Sequence, residues 1–478
     1  MTTEPLPAAA HPARRPFRLF STRALSASAF LGAGSLLGLT VGSILIVLIA
    51  AERPSTFTPT STGGFFPVWM SGPLRGALPG LTRNNNSLAW LLSALMVAMY
   101  VLYVLAFTNV DRLRARWTIA ALLATHVAFL LAPPLQYTDV FNYINYGRMG
   151  VLHDLNPYAT VPALGPHDDP SFSLSNWHHL LSPYGPAFTL LTYALVPLGV
   201  AGSFWAIKLV VAVASLGTLA LVWRCARLLG RSPSAAIAFV GLNPIVLVWG
   251  QGADHNDALM VFFVVLAVYL FLRSPAAPRA SGASLVLAIF IKASAAIVLP
   301  LFIAAGNRRG FVRGALAAIA LLGAVSLVAF GPHAPDLSTQ SRLVTAIGIP
   351  NLVGLALGQG GETATLRAAI EAALLLVLAG CTLAVARGRL NWLTAAALVL
   401  ATLTASLSWA VPWYLIWVLP FAALSPARPL RGAVVVLGAY FLIAFMPAAY
   451  LLARDIDFAP QSTGLGVMHT RQVEAVLH

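Results

Sequence analysis

Charge is what this chain has least of. Only 9% of its 478 residues are Asp, Glu, Lys or Arg, against about a quarter in a typical soluble domain. That excludes an ordinary water-soluble globule. Lysine is almost missing, with Lys208 and Lys292 the two in the chain. Cysteine is as rare: Cys225 and Cys381 sit in or beside apolar runs near Arg clusters. Two such positions offer neither a disulfide framework nor a cysteine metal site. No basic tract interleaved with aromatics occurs either, so the net charge of +14 does not point to nucleic acid.

What the chain has is apolar length. Hydrophobic residues make up 59% of it, and mean hydropathy is +0.81. Apolar runs near 20 residues recur, the length that crosses ~30 Å of hydrocarbon. The expected fold is all-α, a polytopic transmembrane bundle of about 11–14 membrane helices with structured extracytoplasmic loops. Between the runs lie short basic clusters, such as Arg112, Arg114, Arg116; Arg224, Arg227, Arg231; and Arg428, Arg431. This is the positive-inside pattern, with membrane lipids as the surroundings. Arg14, Arg15, Arg18 and Arg23 place the N-terminus inside. The apolar stretch 25–51 exceeds a signal-peptide core of about 7–15 residues, so it reads as a retained helix.

From that start, crossings at 28–51, 87–107 and 115–134 leave the loop 135–185 outside. The stretch 186–229 must end inside, so one of its two apolar pieces, 186–201 or 204–229, should be re-entrant or broken. The sequence does not say which. Residues 282–306 read as a hairpin with Lys292 at its outer turn. The chain thus divides into a cytoplasmic tail (1–24), one membrane body (25–453) containing a catalytic loop (135–185), and an extracytoplasmic tail (454–478). This path puts thirteen of the fifteen acids outside, leaving Glu4 and Asp111 inside. Acids count little for topology. An external polar site explains the skew, and so does plain avoidance of acids on the inner side.

Five stretches could carry chemistry. In "QYTDVFNYINYGR" Asp139 follows a proline pair and precedes an aromatic-rich segment. It could simply cap a helix. As a carboxylate among apolar groups it could also have a raised pKa and act as a general base. Tyr143 and Arg148 follow it, the arginine able to hold an anion. "WHHLLSPYGPAF" offers His178 and Tyr184 on rigid Pro-containing turns, with loop architecture the plainer role. In "QGADHNDALM", Asp254, His255, Asn256 and Asp257 interrupt two apolar runs. Four polar residues exceed what a cap needs, and Asp254, His255 and Asp257 are candidates for a divalent ion, Mg2+ or Mn2+. Lys292 interrupts an apolar run where an ammonium suits a phosphate oxygen. Lys208 lies near a predicted inner rim, where snorkelling accounts for it. "SWAVPWYLIWVLP" carries Trp413 and Tyr414, either an interfacial belt or a groove lining.

These patches all fall at outer helix ends. Lys292, Arg148 and His255 could meet an anionic lipid head, with a carboxylate beside it facing a polar acceptor. That suits sugar transfer from a lipid-phosphate donor, where the leaving group needs charge stabilisation and one base suffices. In-line attack would invert the anomeric centre. A transporter or flippase of polyprenyl-linked saccharides is the rival. It should place charges near the midplane and show inverted repeats, and neither is evident here.

The stretches "TDVFNYINYGR", "NPYATVP", "SPYGPAFTLL", "GADHNDALMVFF", "IKASAAIVLP" and "PWYLIWVLP", in this order over 138–420, resemble the GT-C integral-membrane glycosyltransferases. Nearest is the actinobacterial polyprenol-phosphomannose-dependent α-1,6-mannosyltransferase group. The resemblance implies a polyprenyl-phosphate-sugar donor, a glycan or glycolipid acceptor, and an active site on the extracytoplasmic side of a bacterial plasma membrane. Mannose is the first sugar it implies, with arabinose, glucose and galactose as alternatives. It also implies Asp139 as the base, with His255, Asn256, Asp257 and Lys292 on the donor side. Many members of the wider superfamily place this acid after their first helix, whereas here the third helix leads into it.

Overall fold

The computed structural model describes residues 27–52, 67–79, 85–337, 341 and 343–458. The arginines at 14–23 and most of the tail from 454 onward lie outside the described residues. The described residues form helices and connecting turns, without strands. The first three helices are α1 (Ala27–Glu52), α2 (Asn85–Asn109) and α3 (Ala115–Leu130). The short α4 (Asp139–Leu152) leads into a loop, followed by α5 (Pro186–Leu195) and α6 (Gly199–Leu228). Next come α7 (Pro233–Gly241), α8 (Asp257–Arg273), α9 (Arg279–Ile291), α10 (Leu299–Ala305) and α11 (Arg308–Phe330). The chain ends with α12 (Ile349–Ala356), α13 (Ala364–Ala386), α14 (Trp392–Ser406), α15 (Leu419–Leu424), α16 (Arg428–Phe445) and α17 (Ala449–Asp455).

Among the described residues, six stretches are long and apolar enough to cross a membrane: Ala27–Glu52, Asn86–Arg112, Pro186–Leu228, Arg308–Phe330, Ala364–Ala386 and Arg428–Phe445. The protein is an integral membrane protein. Its outer helices carry the faces expected of one. Val328 on α11 is 90% exposed and Leu376 on α13 is 74% exposed, surface that hydrocarbon rather than water can cover. The core lies inside, around fully buried Trp249, Phe129, Phe141, Tyr143 and Phe204.

Sequence chemistry sets the element ends. Ser232 accepts from the Ala235 N–H at the start of α7, where Pro233 fills a position whose N–H has no helical partner. Asn307 and Asn391 cap α11 and α14 in the same way. Pro133 and Pro134 cannot continue α3, which stops at Leu130.

The ambiguity over 186–229 resolves. A 3-10 turn at Val196–Leu198, carrying Pro197, breaks the stretch. The preceding α5 has 10 residues, about 15 Å of helix and too short to span. The following α6 has 30 residues, about 45 Å and ample. The hairpin at 282–306 also takes form. α9 ends at Ile291, Lys292 is extended (φ −154°, ψ 123°), and a 3-10 turn over Ala293–Val298 leads into α10.

Candidate active site

Three sets of contacts assemble the site. Leu135 N–H donates to the Gly252 carbonyl at 2.9 Å, joining the segment before Asp139 to the "GADHND" turn. A Cβ on Gly252 would lie 2.4 Å from a Leu135 methyl and 2.5 Å from the Val248 carbonyl. Gly185 N–H donates to the Ile291 carbonyl at 3.0 Å, joining Tyr184 to the end of α9. A Cβ there would come within 2.1 Å of the Phe290 carbonyl, so the "PYGP" glycine is required by contact with another backbone. Third, the Asn142 carboxamide oxygen accepts from the N–H groups of Asn176 and Trp177 at 3.0 and 3.2 Å. Residues 135–139, 176–185, 252–257 and 291–293 therefore meet in one place.

They enclose a cavity of about 640 Å³, within the usual range for ligand pockets. Asp139, Tyr143, Tyr184, His255, Lys292, Trp413 and Tyr414 line it, together with Tyr137, Trp177, Trp409 and Trp417. Its apolar wall comes from Ile297, Leu343, Leu403 and Leu407.

Asp139 is half-buried at the first position of α4, just after the N-cap Thr138. Its Oδ1 accepts from the Tyr184 hydroxyl at 3.2 Å. Burial raises its pKa to about 6, and Asp257 adds to the rise. Lys292 and the Tyr184 hydrogen bond pull the other way. A carboxyl near 6 can be ionised at neutral pH and still accept a proton.

Lys292 reaches Asp257 with both carboxylate oxygens in range, at 2.8 and 2.7 Å. The Trp417 indole N–H donates to the same carboxylate at 2.6 Å. The ammonium lies 5.2 Å from the Tyr414 ring centre and 5.6 Å from that of Trp417. Asp257 is buried behind it and does not line the cavity. His255 stacks on Trp413, with centroids 3.6 Å apart and planes 13° from parallel. Burial, with Lys292 nearby, keeps its imidazole neutral by lowering the pKa well below the ordinary value. Its Nε2 has no protein partner. Neither amide atom of Asn256 has one, although its N–H donates to the Tyr143 hydroxyl at 3.4 Å.

Several expectations change in this light. Lys208 does not snorkel. It is fully buried, and its ammonium lies 3.2 and 3.3 Å from the two oxygens of fully buried Asp254. Asp254 is thereby a brace behind the turn, in left-handed backbone (φ 59°), rather than a cavity contact. Arg148 pairs with Asp169 at 2.9 Å, joined by His153 and Ser171. Burial opposes ionisation of Asp169, but these partners outweigh it and hold its carboxyl well below the usual range. His178 donates toward the Phe172 carbonyl at 2.9 Å and stacks on Phe172. Arg148 and His178 therefore shape the loop and do not line the cavity. The three proposed metal ligands do not converge either. Asp254 and Asp257 each face a lysine, and no group of three His, Cys, Asp or Glu among the described residues is placed to hold an ion.

Sequence reasoning passed over Gln136 and Asn176, and gave Trp409 no role of its own. Nothing in the sequence marks Leu343, Leu403 and Leu407, which reach the cavity only through packing.

Comparison with known proteins bears directly on this geometry. Residues 36–307 match the family model described as α-(1→6)-mannopyranosyltransferase, N-terminal domain. A probable α-(1→6)-mannopyranosyltransferase of Mycolicibacterium smegmatis is 27% identical, over 82% of this chain and 79% of that protein. α-(1→6)-Mannopyranosyltransferase A of Mycobacterium tuberculosis is 30% identical, over 66% of this chain and 67% of that protein. No solved structure matches. The match takes in Asp139, the "GADHND" turn and Lys292, and the chain belongs to the α-(1→6)-mannopyranosyltransferase family, glycosyltransferases of the membrane.

Proposed function

We propose that the protein transfers mannose from a polyprenyl-phosphate donor to a hydroxyl of a glycan or glycolipid acceptor, on the extracytoplasmic face and with inversion. The observation that carries this reading is that Asp139 and Lys292 open onto one cavity. Asp139 takes the proton of the acceptor hydroxyl. The acceptor oxygen forms a bond to the anomeric carbon as the bond from that carbon to the phosphate oxygen breaks. Polyprenyl phosphate leaves with the electron pair, and Lys292 and the His255 imidazole meet its oxygens. Asp257 and Trp417 hold the ammonium in place. The apolar wall of Ile297, Leu403 and Leu407 suits the isoprenoid beyond the phosphate. No step is routed through a metal, since both acids of the "GADHND" turn face lysines.

Arginine placement supports the extracytoplasmic side. Arg112, Arg114 and Arg116 precede or begin α3, whereas Asp139 follows its far end. Arg224 and Arg227 lie in the last turns of α6, well beyond Lys208.

The test is transfer of radiolabelled mannose from polyprenyl-phosphate-mannose to an α-1,6-linked mannoside in washed membranes. Asp139→Asn is compared at matched expression. Transfer by the parent and its near-complete loss in the variant is the expected result. Equal transfer by both would remove Asp139 from catalysis. No transfer by either would reject this donor and acceptor.

A further inference from the structure

The aromatic segment from Trp409 to Trp417 lines the cavity. Trp417 lies at one end, bonded to Asp257 beside Lys292. Trp413 lies along the wall, under His255 and 4.6 Å from Tyr137. Trp409 lies at the other end, edge-on to Trp177 with centroids 6.3 Å apart. The segment Pro412–Trp417 is a 3-10 helix of six residues, roughly 12 Å long at about 2 Å per residue. Trp409 lies three residues before this helix and Trp417 closes it, so the Trp177/Trp409 pair and the ammonium meet different ends of the segment.

Two amides line the same cavity. The side-chain carbonyls of Gln136 and Asn176 are buried and have no protein partner, yet both residues line the cavity. An amide left so is costly unless something else supplies its hydrogen bond. Gln136 is moreover held in left-handed backbone (φ 61°), within a tight turn closed by the Tyr137 N–H to the Leu135 carbonyl. That conformation is rare for glutamine. Asn176 and Trp177 are fixed through their backbone N–H groups by Asn142, on the helix that begins with Asp139.

We propose that Gln136, Asn176, Trp177 and Trp409 form the acceptor subsite, and that it takes a neutral pyranoside. The ring's C–H face lies against the indoles, and its hydroxyls donate to the two carbonyls. All four side chains are uncharged, which suits a polyhydroxyl and disfavours a phosphate. Gln136 lies three residues before Asp139, so a sugar held here presents a hydroxyl toward the base while the donor phosphate keeps the Lys292 end. This assignment rests on the mannosyl-transfer reading above, but its test does not need turnover.

The experiment is equilibrium binding to the full chain in lipid nanodiscs, with octyl α-1,6-mannobioside and polyprenyl-phosphate-mannose as separate probes. Trp409→Ala and Trp177→Ala are expected to weaken mannobioside binding at least tenfold and to leave donor binding within twofold. Trp409→Phe should recover most of the loss, and Gln136→Ala should weaken the mannobioside alone. Lys292→Met should show the reverse pattern. Mannobioside affinity unchanged in Trp177→Ala, Trp409→Ala and Gln136→Ala would overturn the subsite even if the parent transfers mannose. Failure of the parent to bind the mannobioside would overturn it too. Tryptophan-dependent binding without any transfer would sustain the subsite and reject the function.

Discussion

Replacing Asp139 by asparagine should abolish activity without destabilising the protein, and the two effects come from one cause. Burial raises the Asp139 pKa from 3.8 to about 6. Its proton is therefore held more tightly in the folded chain than in the unfolded one. The stability this contributes is present below about pH 4 and is lost as pH rises through about 6. At about 1.36 kcal/mol per pH unit, the difference between 3.8 and about 6 caps the effect near 3 kcal/mol. Asp139 is only half-buried, and solvent screening lowers the working value. Asparagine carries no charge to desolvate, and its oxygen can still accept from Tyr184. At pH 7.5 the variant should thus unfold at or above the parent's midpoint, with the gap narrowing to about half at pH 5 and closing below about pH 4. Transfer should fall by about 10²–10⁴, the usual contribution of a general base. The parent's transfer rate should fall about tenfold per unit below pH 6, as the base becomes protonated. The residual rate of the variant should lack that acid limb. Fluorescence-monitored unfolding in nanodiscs and radiolabelled transfer over pH 5–8 measure both. A variant less stable than the parent at pH 7.5, or one that keeps the acid limb, would refute the reasoning.

Other substitutions probe the supports of the site. Lys208→Met alone leaves Asp254 buried without its ammonium and should cost about 3–5 kcal/mol; Lys208→Met with Asp254→Leu should recover most of that in thermal unfolding. Loss of the Lys292 ammonium should remove a charged contact of about 1.5–3 kcal/mol. In Lys292→Met the donor KM should therefore rise about 10- to 150-fold, with acceptor KM little changed, as initial rates would reveal. Gly185→Ala forces Tyr184 and the end of α9 apart at a 2.1 Å approach. It should cost about 1–3 kcal/mol and lower kcat by displacing Tyr184 from Asp139, as thermal unfolding and transfer rates would show.

The chain's own composition determined a good deal. Apolar runs with arginines between them dictate a helical membrane body, because hydrocarbon demands internally bonded backbone. The break at Lys292 was legible because an ammonium cannot continue an apolar run without a partner. Asp139 stood out for the same reason. Partnership was not legible. Lys208 and Lys292 look alike in sequence, each a lone lysine among apolar residues. One is buried against Asp254 and the other opens onto the cavity, because α6 packs behind the "GADHND" turn while the end of α9 faces its front. Arg148 reads as an anion ligand until the loop folds Asp169 onto it. The capping readings changed at Asp139, which lies one position past the N-cap Thr138, and at Asn256, an N-cap whose side chain makes no cap bond. Periodicity and composition report what each segment needs from its surroundings. Which residue supplies it is settled by contacts between segments far apart in the chain, such as Gly185 with Ile291 and Leu135 with Gly252, and those arise only when the helices have packed.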